Sequence, residues 1–268
     1  TQLRYTNLND SAFGGKGWGY TLAFSNRLIA ESRYHGDAFN LLLDGNAPTA
    51  GETLQVGDAF AQSYMYQQVE VGMVKSWVSE KASASMAFSV GFVNANWYRG
   101  FDAPSGTWYT DPIGSYIDLE AEDWRFETSN PEENGFFFPN GTGVSFSFQY
   151  EWHWKKRHML AFSANDVGFI RWSQKSSSSN LDGSIRWEGV VLPNISNISE
   201  GFFEDYADSL QGDYLTENPN RAFSTALPMQ FNISYGYKFH SLPLACYGQI
   251  RWRPLSPWLP LSTLGLLW

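Results

Sequence analysis

The feature that most constrains this chain is a two-residue alternation of apolar and polar side chains, held over unusually long tracts. From Gly143 to Trp154, the residues Val144, Phe146, Phe148, Tyr150, Trp152 and Trp154 fall on one face. Ser145, Ser147, Gln149, Glu151 and His153 fall on the other. Phe231, Ile233, Tyr235, Tyr237 and Phe239 repeat the pattern against Asn232, Ser234, Gly236 and Lys238. Trp18, Tyr20, Leu22 and Phe24 do so against Gly19, Thr21, Ala23 and Ser25, and Met86, Phe88, Val90 and Phe92 against mostly small residues. Successive side chains of a strand point to opposite faces, so each tract has one greasy face and one small or polar face.

Two architectures use such strands. In a soluble sandwich the greasy face packs against a second sheet; in a membrane barrel it meets lipid while the other face lines the interior. Spanning strands need about 9–11 residues, against about 5–6 for strands of soluble proteins, and the tracts here belong to the longer class. Aromatics also gather near tract ends (Trp152 and Trp154, Trp97 and Tyr98, Tyr235 and Tyr237), as in belts at the headgroup level. The reading is therefore all-β: an antiparallel transmembrane β-barrel, residues 1–268 as one domain, with long loops on one end and a short amphipathic helix in a loop. Its lipid-facing aromatics are expected to be Trp18, Phe146, Phe148, Tyr150, Trp152, Trp154, Phe231, Tyr235 and Tyr237. The competing reading is a secreted soluble β-sandwich that binds carbohydrate on exposed Trp and Tyr.

Strands are expected near 17–26, 28–34, 62–78, 83–98, 115–128, 143–154, 159–173, 183–192, 222–239 and 244–253. Short turns at Ser79–Lys81, Lys155–Arg157 and His240–Pro243 contrast with long connections such as Arg99–Gly114 and Asn194–Asn220. Counting crossings from Ser79 puts the Lys155 turn at the wrong end. One crossing is therefore miscounted between Asn94 and Gly143, with Thr107–Thr110 as an extra short strand or Ser115–Thr128 as a bent pair. Asp37–Leu43 reads as a short helix ending at Asp44-Gly45-Asn46. Glu200–Gln211 reads as an acidic amphipathic helix with Phe202, Phe203, Tyr206 and Leu210 at helical spacing, and Ser176–Ser179 as a flexible loop tip.

Composition narrows the function classes. A net charge of -9 argues against a nucleic-acid partner, which needs clustered Lys and Arg. The one cysteine, Cys246, excludes an internal disulfide framework and a Cys-based metal cluster. No run approaches the roughly 18 apolar residues of a spanning helix, so a membrane would be crossed by strands. The chain starts at Thr1 without a secretory signal, which suggests a processed product or a fragment.

The densest carboxylate cluster is Asp118, Glu120, Glu122 and Asp123. On a strand, Asp118, Glu120 and Glu122 share a face opposite Leu119 and Ala121. A glycosidase pair or a Ca²⁺ site is conceivable there, but a hydrated lumen or rim face is the better reading. His35, His153, His158 and His240 show no metal-ligand spacing. No nucleophile elbow, phosphate loop or dinucleotide fingerprint is present, so no catalytic residue, cofactor or metal is expected.

Short landmarks recur in a consistent order. Leu160 to Trp172 contains Asn165-Asp166-Val167-Gly168-Phe169-Ile170-Arg171-Trp172 and is followed by Ile185–Gly189; Ala38–Asn46 and Ser224–Pro228 are two more. This set resembles a family of uncharacterised Bacteroidota outer-membrane barrels, similar in a broad sense to the FadL-like and PorV-like barrels, the latter linked to type IX secretion. The resemblance implies a bacterial cell outer membrane location, with outer-membrane lipid and lipopolysaccharide against the barrel wall. It implies transport of an apolar or amphipathic solute, or membership of a larger outer-membrane complex docked through loop aromatics such as Phe101, Trp108, Tyr109, Phe202, Phe203 and Tyr206. It assigns no catalytic or binding residues.

Overall fold

The structure is a computed structural model, described here for residues 2–7, 16–129, 139–188, 215–240, 244–254 and 260–267. Nine strands form one antiparallel meander in the order β1 (Gln2–Asn7), β2 (Trp18–Arg33), β4 (Ala59–Val78), β5 (Ala82–Ala103), β8 (Gly141–Trp154), β9 (His158–Trp172), β13 (Gln230–Lys238), β14 (Ala245–Trp252) and β15 (Leu261–Leu267). The fold is thus all-β and antiparallel. Among the described residues β1 and β15 each pair on one side only, and nine alternating strands leave these two edges running in the same direction.

The sheet is strongly curled. Arg27 on β2 forms an ion pair with Asp166 on β9, four places away in the strand order. At about 4.8 Å per strand a flat sheet would hold them about 19 Å apart, beyond the reach of two side chains. Residues of β1, β2, β4, β5, β8, β9, β13 and β14 all line one cavity on the concave side.

Side-chain size decides which face curls inward. The concave face carries Thr21, Ala23, Ser25, Gln68, Glu70, Gly72, Ser89, Gly91, Ser145 and Ser147, small or hydrogen-bonding groups that tolerate close approach. A Cβ added at Gly91 would lie 2.2 Å from Ser145 Oγ. The convex face carries the greasy set: Leu22 is 49% exposed, Val71 61%, Val90 43% and Phe146 44%. In the described residues the alternation therefore appears with its apolar side outward.

The turns 79–81 and 155–157 lie at one end, where Phe239 N–H also donates to Leu244 O between β13 and β14, and every described long connection bearing further strands lies at the other. This resolves the crossing count. β6 (Ser105–Thr110) and β7 (Ile117–Thr128) form a hairpin that never recrosses the sheet. β7 pairs with the last turn of β5 over Arg99–Asp102, with β10 (Ser177–Trp187) and with β6, while β3 (Thr53–Gln55) adds to β6 and β11 (Thr216–Asn218) to β10. These strands make an annex on the long-loop end. Helix α1 (Gly36–Asp44) packs there, as expected for Asp37–Leu43; the His35 ring Nδ1 accepts from Asp37 N–H at its start.

Several expectations need correction. Segments 17–26 and 28–34 are one strand, because Arg27 keeps the alternation by pointing inward to Asp166. Segment 222–239 is instead two strands, β12 (Ser224–Ala226) and β13. Pro228 has no N–H for a ladder bond, and β9 bulges at Asn165–Asp166, so Leu227 N–H donates to Gly168 O while its own carbonyl turns to accept from Met229 N–H. Ser177–Ser179 is strand, not a loop tip, since Ser177 to Asn180 pair with Thr128 to Arg125 and bury Ser176 and Ser178. Tyr98 does not join a belt with Trp97: the extra residue Asn96 on β5 turns Tyr98 inward. The helix expected at Glu200–Gln211 lies outside the described residues.

Candidate functional site

Two stacked layers of side chains lie on the concave side. The first is polar and hydrogen-bonded throughout. Gln68 Nε2 donates to Glu70 Oε1 at 2.7 Å, to Ser145 Oγ at 2.7 Å and to Asp166 Oδ1 at 3.2 Å, and its Oε1 accepts from Ser25 Oγ at 3.3 Å. Arg27 pairs with Asp166, Arg4 lies 3.5 Å from Glu70, and Ser147 Oγ donates to Glu70 at 3.4 Å. Five strands contribute, so the network ties together parts of the sheet that share no ladder. A buried charge left without such partners is strongly unfavourable.

The second layer, toward the long-loop end, is aromatic. Tyr64, Tyr66, Tyr98 and Trp172 are buried together with Val93, Ala95, Ile170 and Leu227. Ring centroids lie 6.0 Å apart for Tyr64–Tyr66, 5.9 Å for Tyr64–Tyr98 and 5.3 Å for Tyr98–Trp172. Trp172 Nε1 donates to Thr225 Oγ1 at 2.9 Å, and Phe223 and Leu227 from the returning chain complete the packing. Below the polar layer, toward the tight turns, the interior opens into a polar cavity of about 380 Å³ lined by residues such as Thr21, Ser89, Ser147, Asn232, Gln249 and Arg251.

A second cavity, about 350 Å³, lies on the convex side of the annex between α1 and the β6–β7 hairpin. Ala38, Leu41 and Leu42 of α1 face Ala61, Phe101 and Trp124 across it. Its charged lining residue is Arg33, which is paired with the exposed Asp58 at 2.9 Å. Phe60 lines this apolar groove and also the mouth of the concave side, where Tyr64, Tyr98, Asp102 and Glu127 gather. Small-molecule sites run from about 300 to 1,000 Å³, so the groove suits a ligand rather than a domain.

The residues singled out from sequence fall into three groups. Trp18, Phe146, Phe148, Tyr150, Trp152, Trp154, Phe231, Tyr235 and Tyr237 all take the convex side of their strands, the side of Leu22 and Val71. Asp118, Glu120 and Glu122 sit in the annex on β7, with Leu119 turned to the groove and Ala121 buried. Arg186 grips Asp118 with two bonds of 2.7 Å and holds its carboxyl below the usual range, and Thr107 Oγ1 donates to Glu120 at 3.3 Å. Phe101, Trp108 and Tyr109 belong to β5 and β6, and Phe101 and Trp108 line the groove. Phe202, Phe203 and Tyr206 lie outside the described residues.

Sequence reasoning missed the polar layer and the aromatic layer. Arg27, Glu70 and Asp166 were visible as charges on the small-residue face of long alternating tracts, a signal for paired interior charges. The inward turn of Tyr98 left no signal, because it depends on a bulge. Among the described residues no three His, Cys, Asp or Glu side chains gather as a metal site, and no helix is long and apolar enough to cross a membrane. His158 stacks on Trp154 at 4.8 Å and its Nδ1 lies 2.8 Å from the Tyr235 hydroxyl.

Residues 4–264 match the model of a protein family described as a family of unknown function, DUF5723. The chain belongs to that family. The match covers every strand of the meander, at least in part, together with the residues of the two layers and of the groove. No curated protein and no solved structure matches the chain.

Proposed function

We propose that this DUF5723 chain is a non-enzymatic β-barrel protein of the bacterial outer membrane that handles an apolar or amphipathic solute. The observation that carries the reading is the inverted distribution of polarity, with Leu, Val and Phe exposed outward and Ser, Thr, Gln and paired charges buried within. A soluble sandwich would bury the outward set between two sheets; in lipid that set is the solvated surface. Because β1 and β15 run the same way, closure takes either a parallel seam or an odd number of intervening antiparallel strands. An unpaired edge in hydrocarbon is not tolerated.

The two interior layers favour a gated or shut lumen over an open pore. The groove beside α1, shared through Phe60 with the interior mouth, favours solute handling, with the ligand an amphiphile whose tail fills the carbon-lined cavity. A second reading, docking within a larger envelope complex, draws on α1, which leaves Phe39 and Leu42 exposed beside the groove. Detergent dependence and heat-modified gel mobility test the shared premise. A folded barrel migrates differently before and after boiling and needs detergent for extraction, whereas a monomer stable in plain buffer would overturn the proposal. Co-purification of stoichiometric envelope proteins from native membranes would favour docking over solute handling.

A further inference from the structure

The convex face is not uniformly greasy, and its boundaries run straight across the strands. Along one rung of the ladder the convex-side positions carry Asn26, Gln67, Asn94, Thr142 and Arg171, paired in register from β2 through β9, with Gln67 buried and Asn26, Thr142 and Arg171 exposed. Ten residues nearer the tight turns on β4 and β8, another rung carries Trp77 and Trp152, with Ala84, Leu160 and Tyr235 at the same level. Trp154 and Tyr237 stand one outward position beyond. Between the two rungs the described outward positions include Tyr20, Leu22, Phe24, Val69, Val71, Met73, Phe88, Val90, Phe92, Val144 and Phe146. Asp, Glu and Arg are absent from the outward positions there among the described residues. The one Lys, Lys75, sits a single outward position from the aromatic rung, stacked 4.9 Å over Trp18, with Nζ donating to Lys16 O at 2.6 Å. That is the posture of a side chain reaching back to an interface.

We infer that the hydrocarbon slab of a bilayer occupies the convex face between these rungs, from the Asn26–Arg171 line to the Trp77–Trp152–Tyr235 line. The inference rests on the membrane reading above and adds the depth and polarity of insertion. Ten residues at about 3.4 Å rise cover about 34 Å along a strand, and a tilt near 40° reduces this to about 26 Å of height. The apolar band of outer-membrane barrels is about 25 Å tall and flanked by aromatic girdles. Charge returns just outside both lines: Glu80, Lys81, Lys155, Lys156 and Arg157 in the tight turns, and Arg99 two outward positions past the polar rung, level with Ser63 and Ala30. Strands β2, β4 and β5 run on well past the polar rung, so the annex, α1 and the groove stand outside the slab on one side, and the turns 79–81 and 155–157 emerge on the other.

The test is depth-resolved quenching on the full chain in a Cys246→Ser background. Leu22→Cys and Val71→Cys mark the centre of the slab, and Ala30→Cys and Ser63→Cys lie beyond the polar rung. Each is labelled with a bimane fluorophore and reconstituted in phosphatidylcholine vesicles with chain-brominated lipid. The expected result is loss of most emission at the two central sites and none above background at the two outer ones. Equal quenching at all four overturns the boundary while leaving the membrane reading in place. No quenching at any site, with the protein left in the aqueous fraction, overturns both. Quenching at Ala30 and Ser63 alone would overturn the boundary and place the slab around the annex.

Discussion

A single arginine on the convex face separates the two environments that this face could meet. Val71 sits mid-way between the polar and aromatic rungs, level with Leu22, Val90 and Phe146, and is 61% exposed. In water, Val71→Arg at so open a position shifts stability by no more than about 0.5 kcal/mol. At the midplane of a bilayer the same change costs about 2–4 kcal/mol, and near the interface about 0–1 kcal/mol. The expected loss is therefore roughly 30- to 700-fold in the folding equilibrium at Val71, with Ser63→Arg close to wild type. Reversible urea unfolding in vesicles, read by the folded and unfolded gel bands, measures both. A Val71→Arg variant within about 0.5 kcal/mol of Ser63→Arg would refute the reasoning.

Other outcomes follow from the interior and the annex. Asp166→Ala strands Arg27 and removes an acceptor from Gln68, so it is expected to destabilise by about 3 kcal/mol in the same urea titration, with part recovered in Arg27→Leu/Asp166→Leu. Ala38→Trp projects an indole into the groove and should weaken binding of a fluorescent long-chain carboxylate by about tenfold, without moving the urea midpoint; unchanged affinity would remove the groove from the account. Burial raises the Glu127 carboxyl above its ordinary value, with Arg125 and Arg221 offsetting part of the rise. A raised carboxyl contributes stability that is complete below the unfolded value and lost as pH rises through the folded one. Glu127→Gln should accordingly protect the annex from proteolysis at neutral pH and make no difference near pH 4.

Period two over tracts of ten or more residues was enough to foresee an all-β antiparallel sheet. A local pattern of this kind fixes faces relative to one another along one strand. It cannot say where a bulge exchanges them, which is why Tyr98 was read as a belt residue and lies instead in the interior beside Trp172. Nor does it reveal partners from distant strands. The expected strands stopped at 26 and resumed at 28, and the curl that brings Asp166 opposite Arg27 lets one strand run through. The serines at 176–179 misled for a different reason: a polar run resembles a loop until a neighbouring strand, here β7, supplies its hydrogen bonds. The groove was half visible, since Phe101 and Trp108 drew attention as aromatics in a connection, but its other wall is a helix 60 residues earlier in the chain.

The most direct measurement is partitioning of the full chain between buffer and lipid vesicles after an alkaline carbonate wash, followed by flotation. The folded protein is expected to rise with the vesicles and stay there. Folded protein left behind in the wash as a stable monomer would contradict the membrane reading, because the exposed Leu, Val and Phe of the convex face would then be facing water.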